Sequence, residues 1–246
     1  MPGYVMHLAE AGQILEKVRE RTEVSREWEQ QFLTGTLLPD TRLKDEKRFS
    51  HFWNPGQLEL LALAPDLSIF LNKYRQRLGE PVILGYLAHL HLDARYVSDY
   101  WPTVIAFYGA QGEPEVRKDK ITDVEMNHLH KKVPVNNFFS PEYYYGEYTK
   151  LNGYFIDKYH LAVPEWEWIE GFCMDEVRLE DMERVCRELS CLLRLYHAGD
   201  EKDIQIFDLD CLETFMTGVA DEFVRLYGEV LEASAAAGIS RGHDGI

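Results

Sequence analysis

Three observations predict an all-α chain. Apolar residues recur at helical spacing along most of the 246 residues, helix-start signals punctuate them, and no stretch of any length alternates with the period of a strand. With 46% apolar residues the chain can bury on the order of 70% of its unfolded surface. We therefore expect one helical domain over residues 1–232 and a flexible tail over 233–246.

The elements follow in order. Residues 7–21 and 25–34 read as amphipathic helices, the second opened by Ser25 as N-cap. Gly35 and Pro39 break that pattern and leave residues 37–41 in a turn. Residues 42–54 are polar without helical period, 56–77 read as one or two short helices, and 81–100 as a buried helix. Residues 109–120 form a loop. Thr122 and Glu125 have the spacing of a capping box and predict a helix toward Lys131. Ser140 and Pro141 predict the start of a tyrosine-rich helix to about Tyr159. Leu179 to Leu193 carry the next helical stripe, ending near His197, and Leu212 to Val230 the last.

Charge narrows the partners. With 42 acidic against 26 basic residues the formal net charge is -16, which argues against binding nucleic acid or anionic membrane through bulk charge. Bound cations would still admit a phosphate substrate. No run is long enough to cross a bilayer, and the first residues lack the pattern of an export signal, so a cytoplasmic location is expected. Cys173, Cys186, Cys191 and Cys211 lack zinc-knuckle spacing and read as reduced core thiols. Phosphate-loop, nucleophile-elbow and His-Glu-x-x-His motifs are all missing.

The most informative feature is His89 with Asp93, four residues apart in one of the most apolar stretches. A four-residue step stacks them on one helix face. Ionisable groups in a core need a partner, a hydrogen bond or a metal. The pair is therefore either a buried device that fixes helix register or half of a metal site. Asp40 behind Pro39, His51 among aromatics, and His7 on the first helix are the other candidates. Imidazole and carboxylate suit zinc and, less selectively, manganese or iron. His91 points away from Asp93, and His128 and His130 read as solvated.

The segments around His7, residues 32–41 with Asp40, 50–52 with His51 and 84–94 with His89 and Asp93 together resemble the zinc-dependent phospholipase C family. The resemblance covers roughly residues 1–105, weakens over 122–160 and is lost in the last 80 or so. It implies a multi-helix bundle of the phospholipase C / P1 nuclease type and one to three divalent ions, zinc first. Asp40, His51, His89 and Asp93 would hold one ion, with Asp93 bridging to a second at His7. Asp40 or a metal-activated water would attack a phosphoester. Asp99 stands where the family has a further histidine, and Glu147 lies near its later ligands. The expected function is hydrolysis of a small-molecule or lipid phosphoester. The alternatives are a non-catalytic helical binding protein with a structural or vestigial metal, and a single-strand nuclease of the same fold.

Overall fold

In a computed structural model, which describes residues 2–195 and 203–243, the chain is mainly helical with one small sheet. Seven helices frame it: α1 (Tyr4–Arg19), α2 (Arg26–Gly35), α3 (Leu67–Tyr74), α4 (Pro81–Arg95), α5 (Tyr144–Tyr159), α6 (Met182–Leu195) and α7 (Leu209–His243). Helix α1 is buried along most of its length and packs on α4, α5 and α7, which explains its run of apolar residues. Ser25 caps α2 as expected, its Oγ accepting from the Trp28 amide at 3.2 Å.

Helices α2 and α4 meet backbone to backbone. A Cβ on Gly85 would stand 2.0 Å from the Phe32 carbonyl oxygen, and one on Gly35 2.3 Å from that of Val82. Only glycine at both positions permits this approach. Helix α4 then runs without a break into a π-helical turn, Tyr96–Tyr100, so the expected helix over 81–100 exists with a wider last turn.

Four expectations change. The segment from Thr122 is not a helix but strand β2 (Ile121–Met126), central in an antiparallel sheet between β1 (Ile105–Gly109) and β3 (Lys131–Pro134). Val124 pairs with Phe107 on one side and Val133 on the other. Ile121, Val124 and Met126 are buried, and that burial outweighs the capping-box spacing. Secondly, the helix predicted from Ser140 begins at Tyr144; Ser140 instead accepts from the Glu142 and Tyr143 amides in a preceding turn. Thirdly, α7 continues past Ala233 to His243. Trp28 Nε1 donates to Ser234 Oγ at 2.8 Å, Ser234 Oγ donates to the Gly79 carbonyl at 2.7 Å, and Ala235 is fully buried. Residues just beyond 232 are thus part of the core packing rather than a loose tail. Lastly, Cys173, Cys191 and Cys211 are exposed thiols, not core ones. The expected helix end near His197 lies outside the described residues. Among the described residues no helix is long and apolar enough to cross a membrane.

Candidate metal centre

Five of the seven candidate ligands converge beneath α1, α4 and the segment between α2 and α3. His7 comes from the first turns of α1, and His89 and Asp93 from α4. Asp40 sits in a 3-10 turn (Leu38–Thr41) opened by Pro39. His51 ends one helical turn, Lys47–Ser50, its amide donating to the Lys47 carbonyl at 2.8 Å. One ligand atom each from His7, His89 and Asp93 lie within 4.8 Å of one another, and so do those of Asp40, His51 and His89. His89 belongs to both groups.

The contacts converge on the Nε2 atoms. Asp93 Oδ1 is 3.5 Å from His7 Nε2, and its Oδ2 is 3.6 Å from His89 Nε2 and 3.7 Å from His51 Nε2. Asp40 Oδ1 lies 3.7 Å from His51 Nε2. The His7 and His89 rings stack at 3.6 Å, 12° from parallel.

Second contacts fix the rings. His89 Nδ1 donates to the Thr36 carbonyl at 2.8 Å, which turns its Nε2 toward the cluster. That bond depends on the Gly35–Gly85 crossing, which brings the end of α2 against α4. His51 Nδ1 is paired with Ser50 Oγ at 3.1 Å. Lys47 Nζ donates to Asp40 Oδ1 at 2.5 Å.

Burial sets the charge states. It is the main force pushing the His7 imidazole down to about 4 and His51 down to about 3, with His89 adding to both and Asp93 and Asp40 opposing. For Asp40, burial favours the acid form, but Lys47 and the neighbouring histidines outweigh it and hold the carboxyl below its usual range. Burial likewise opposes the Asp93 anion, and His7 and His89 outweigh it. The centre is two carboxylates beside His7 and His51 imidazoles that are largely neutral at pH 7.

This donor set fits a divalent cation. Both ring nitrogens of His7 and both oxygens of Asp93 are buried with no hydrogen-bond partner among the described residues. His89 Nε2 and His51 Nε2 face each other at 3.3 Å, an approach that needs a proton or a cation between them. Orphaned polar atoms at this density are costly unless a ligand engages them. Nitrogen and oxygen donors of this kind suit zinc, manganese or iron.

The other two candidates lie elsewhere. Asp99, in the π-helical turn, is exposed and bonds to Ser98 Oγ at 2.7 Å and Arg95 at 3.5 Å. Glu147 on α5 is buried, but its Oε2 accepts the Gln205 and Ile206 amides, both at 2.8 Å, so it pins that segment of backbone. His91 faces the opposite side of α4, away from Asp93 as expected, 3.3 Å from Glu222. His128 and His130 are exposed between β2 and β3.

Arg184 on α6 was not legible as part of this site. Its Nη2 donates to the Asp40 and Thr41 carbonyls, both at 3.1 Å, and so holds the Asp40 turn from a helix far along the chain. An arginine inside an ordinary amphipathic stripe carries no local signal for that role. No protein-family model matches the chain, and no curated protein and no solved structure matches it either.

Proposed function

We propose that the chain is a metal-dependent hydrolase of phosphoesters, with a fold of the phospholipase C / P1 nuclease type. The carrying observation is the convergence of Asp40, His51, His89 and Asp93, with His7, in one buried cluster in which both His7 nitrogens and both Asp93 oxygens have no hydrogen-bond partner among the described residues. Those are the residues that the family resemblance of the first hundred positions picks out, in the same order. A cation bound there, zinc first, would supply a Lewis acid for a phosphoryl oxygen and lower the pKa of water.

The side chains do the rest. Thr36 and Ser50 hold the His89 and His51 rings so that their Nε2 atoms point inward. Asp40, kept anionic and nearest to solvent of the five, is placed to take a proton from an attacking water. His89 belongs to both ligand groups, and Asp93, which faces His7, His89 and His51, brings a second negative charge to the centre. The substrate class is a phosphomonoester or phosphodiester, from a small molecule or a lipid.

One observation favours a second reading. Four of the five ligands are almost fully buried, as in a site closed around a structural ion in a helical binding protein. Elemental analysis of chelator-free protein, followed by turnover of p-nitrophenyl phosphate and bis(p-nitrophenyl) phosphate, separates the two. We expect near-stoichiometric metal and hydrolysis that chelation stops and metal restores. Stoichiometric metal with no turnover of either ester would leave the structural reading, and no metal after reconstitution would overturn both.

A further inference from the structure

Exposure rises from the cluster toward solvent along its Asp40 side. The side chains of His7, His51, His89 and Asp93 are each 1% exposed, Asp40 7%, Arg184 18% and Lys47 30%. The more exposed groups on that side are two cations, each bonded to Asp40. They come from unrelated parts of the chain: Lys47 from the turn before His51, and Arg184 from α6, where the sequence suggested no chemistry.

Lys47 has donors to spare, and Arg184 has one nitrogen unpartnered among the described residues besides a displaceable carboxylate. An ammonium has three protons, and Lys47 spends one on Asp40 Oδ1. Arg184 uses Nη2 on the Asp40 and Thr41 carbonyls and Nη1 on Glu188, both carboxylate oxygens at 3.2 Å. Its Nε is buried with no hydrogen-bond partner, and the Asp181 carboxylate at 4.0 Å is beyond bonding distance. The Tyr4 hydroxyl donates to the same Glu188 at 2.8 Å. This edge of the guanidinium therefore already holds an oxyanion, on a side chain that is about half exposed.

We propose that Lys47 and Arg184 form an anion clamp that receives the non-esterified phosphoryl oxygens of the substrate beside the metal centre, with Glu188 as the anion they displace. The inference rests on the hydrolase reading for the word substrate, but not for the binding itself. A planar guanidinium and a point-charge ammonium, both bonded to Asp40, match a tetrahedral oxyanion. The same chemistry would serve a monoester, a diester or free phosphate.

The test is calorimetric titration of inorganic phosphate, then methyl phosphate and dimethyl phosphate, into the protein as purified, with metal content measured alongside. Losing one charge-assisted bond should weaken phosphate binding about tenfold or more in Arg184→Gln and in Lys47→Gln at unchanged metal content. Glu188→Gln, which removes the competing anion and no cation, should tighten it. Because Arg184 also braces a turn, Lys47→Gln and Glu188→Gln carry the test if Arg184→Gln fails to fold. Methyl phosphate binding more tightly than dimethyl phosphate assigns the clamp to monoesters, and the reverse to diesters. Phosphate affinity unchanged in Lys47→Gln and Glu188→Gln would overturn the clamp. So would loss of metal in Lys47→Gln, which would assign the lysine to holding Asp40. The hydrolase reading falls separately: phosphate binding that obeys these variants, in a protein that turns over no ester, leaves a binding clamp without an enzyme.

Discussion

Asp93 is the residue on which the metal reading depends most, because its two oxygens face three imidazoles and are bonded to none of them. Zinc added to chelated protein should therefore raise its unfolding temperature, and Asp93→Asn should abolish the rise. At zinc one hundred times the dissociation constant the stabilisation is about 2.7 kcal/mol. For 246 residues, with an unfolding entropy of about 2.1 cal/mol/K per residue, that is a shift of roughly 5 °C. A neutral amide in place of the carboxylate should weaken the site by about a hundredfold or more, leaving about 0.4 kcal/mol at the same zinc, a shift below about 1 °C. Differential scanning fluorimetry over a zinc series measures both. If wild type does not shift with zinc, manganese or iron, Asp93 is a register device in the core. If Asp93→Asn shifts as much as wild type, the ion binds somewhere else.

Two further substitutions test the supports of the site. Gly85→Ala drives a methyl into the Phe32 carbonyl and should destabilise the chain by about 3 kcal/mol, since neither backbone can yield cheaply. It should also weaken zinc binding by about tenfold or more by parting His89 Nδ1 from the Thr36 carbonyl; unaltered melting and affinity would refute the crossing. Glu147→Ala should cost about 2–3 kcal/mol in chemical denaturation, because it orphans the Gln205 and Ile206 amides, while metal content stays the same. A fall in metal content would return Glu147 to the ligand set.

Legibility followed the range over which each signal acts. His89 and Asp93 could be read because an ionisable pair at helical spacing in an apolar run is anomalous within five residues. Asp40 and His51 needed the order of motifs in the resembling family, since a turn aspartate and a histidine among aromatics are individually ordinary. Arg184 could not be read, because its role is created by tertiary packing against a turn some 140 positions earlier. Strand β2 was misread for a related reason. Thr122 and Glu125 satisfy a local helix rule, whereas the strand is stabilised by partners on both sides that no local pattern reveals. Glu147 shows the converse: an acidic residue in the right region whose oxygens are claimed by backbone amides.

Glu10 introduces an opposing effect that can be measured. It is fully buried one turn beyond His7, its oxygens have no hydrogen-bond partner among the described residues, and burial, with Asp93 adding, pushes its carboxyl well above the usual range. In chelated protein, burial lowers His7, His51 and His91 to about 4, 3 and 4 when folded, against about 6.5 when unfolded. The unfolded chain therefore takes up three more protons, and stability falls as pH drops below about 6.5, by up to about 4.1 kcal/mol per pH unit. Glu10 acts the other way. Its folded value lies above its unfolded 4.5, so the folded chain holds the extra proton just above pH 4.5, and stability rises there as pH falls. Asp40 and Asp93 have lowered values and lose their contribution only below about 3.8, outside this window. The two effects should partly cancel above pH 4.5, by at most about 1.4 kcal/mol per unit, until the folded Glu10 ionises. Glu10→Gln should remove the cancellation: the variant is more stable than wild type at neutral pH and loses stability more steeply on acidification. Urea denaturation of both chelated proteins at half-unit intervals measures the slopes. Parallel curves would mean that Glu10 is charged in the folded chain and has found a cation.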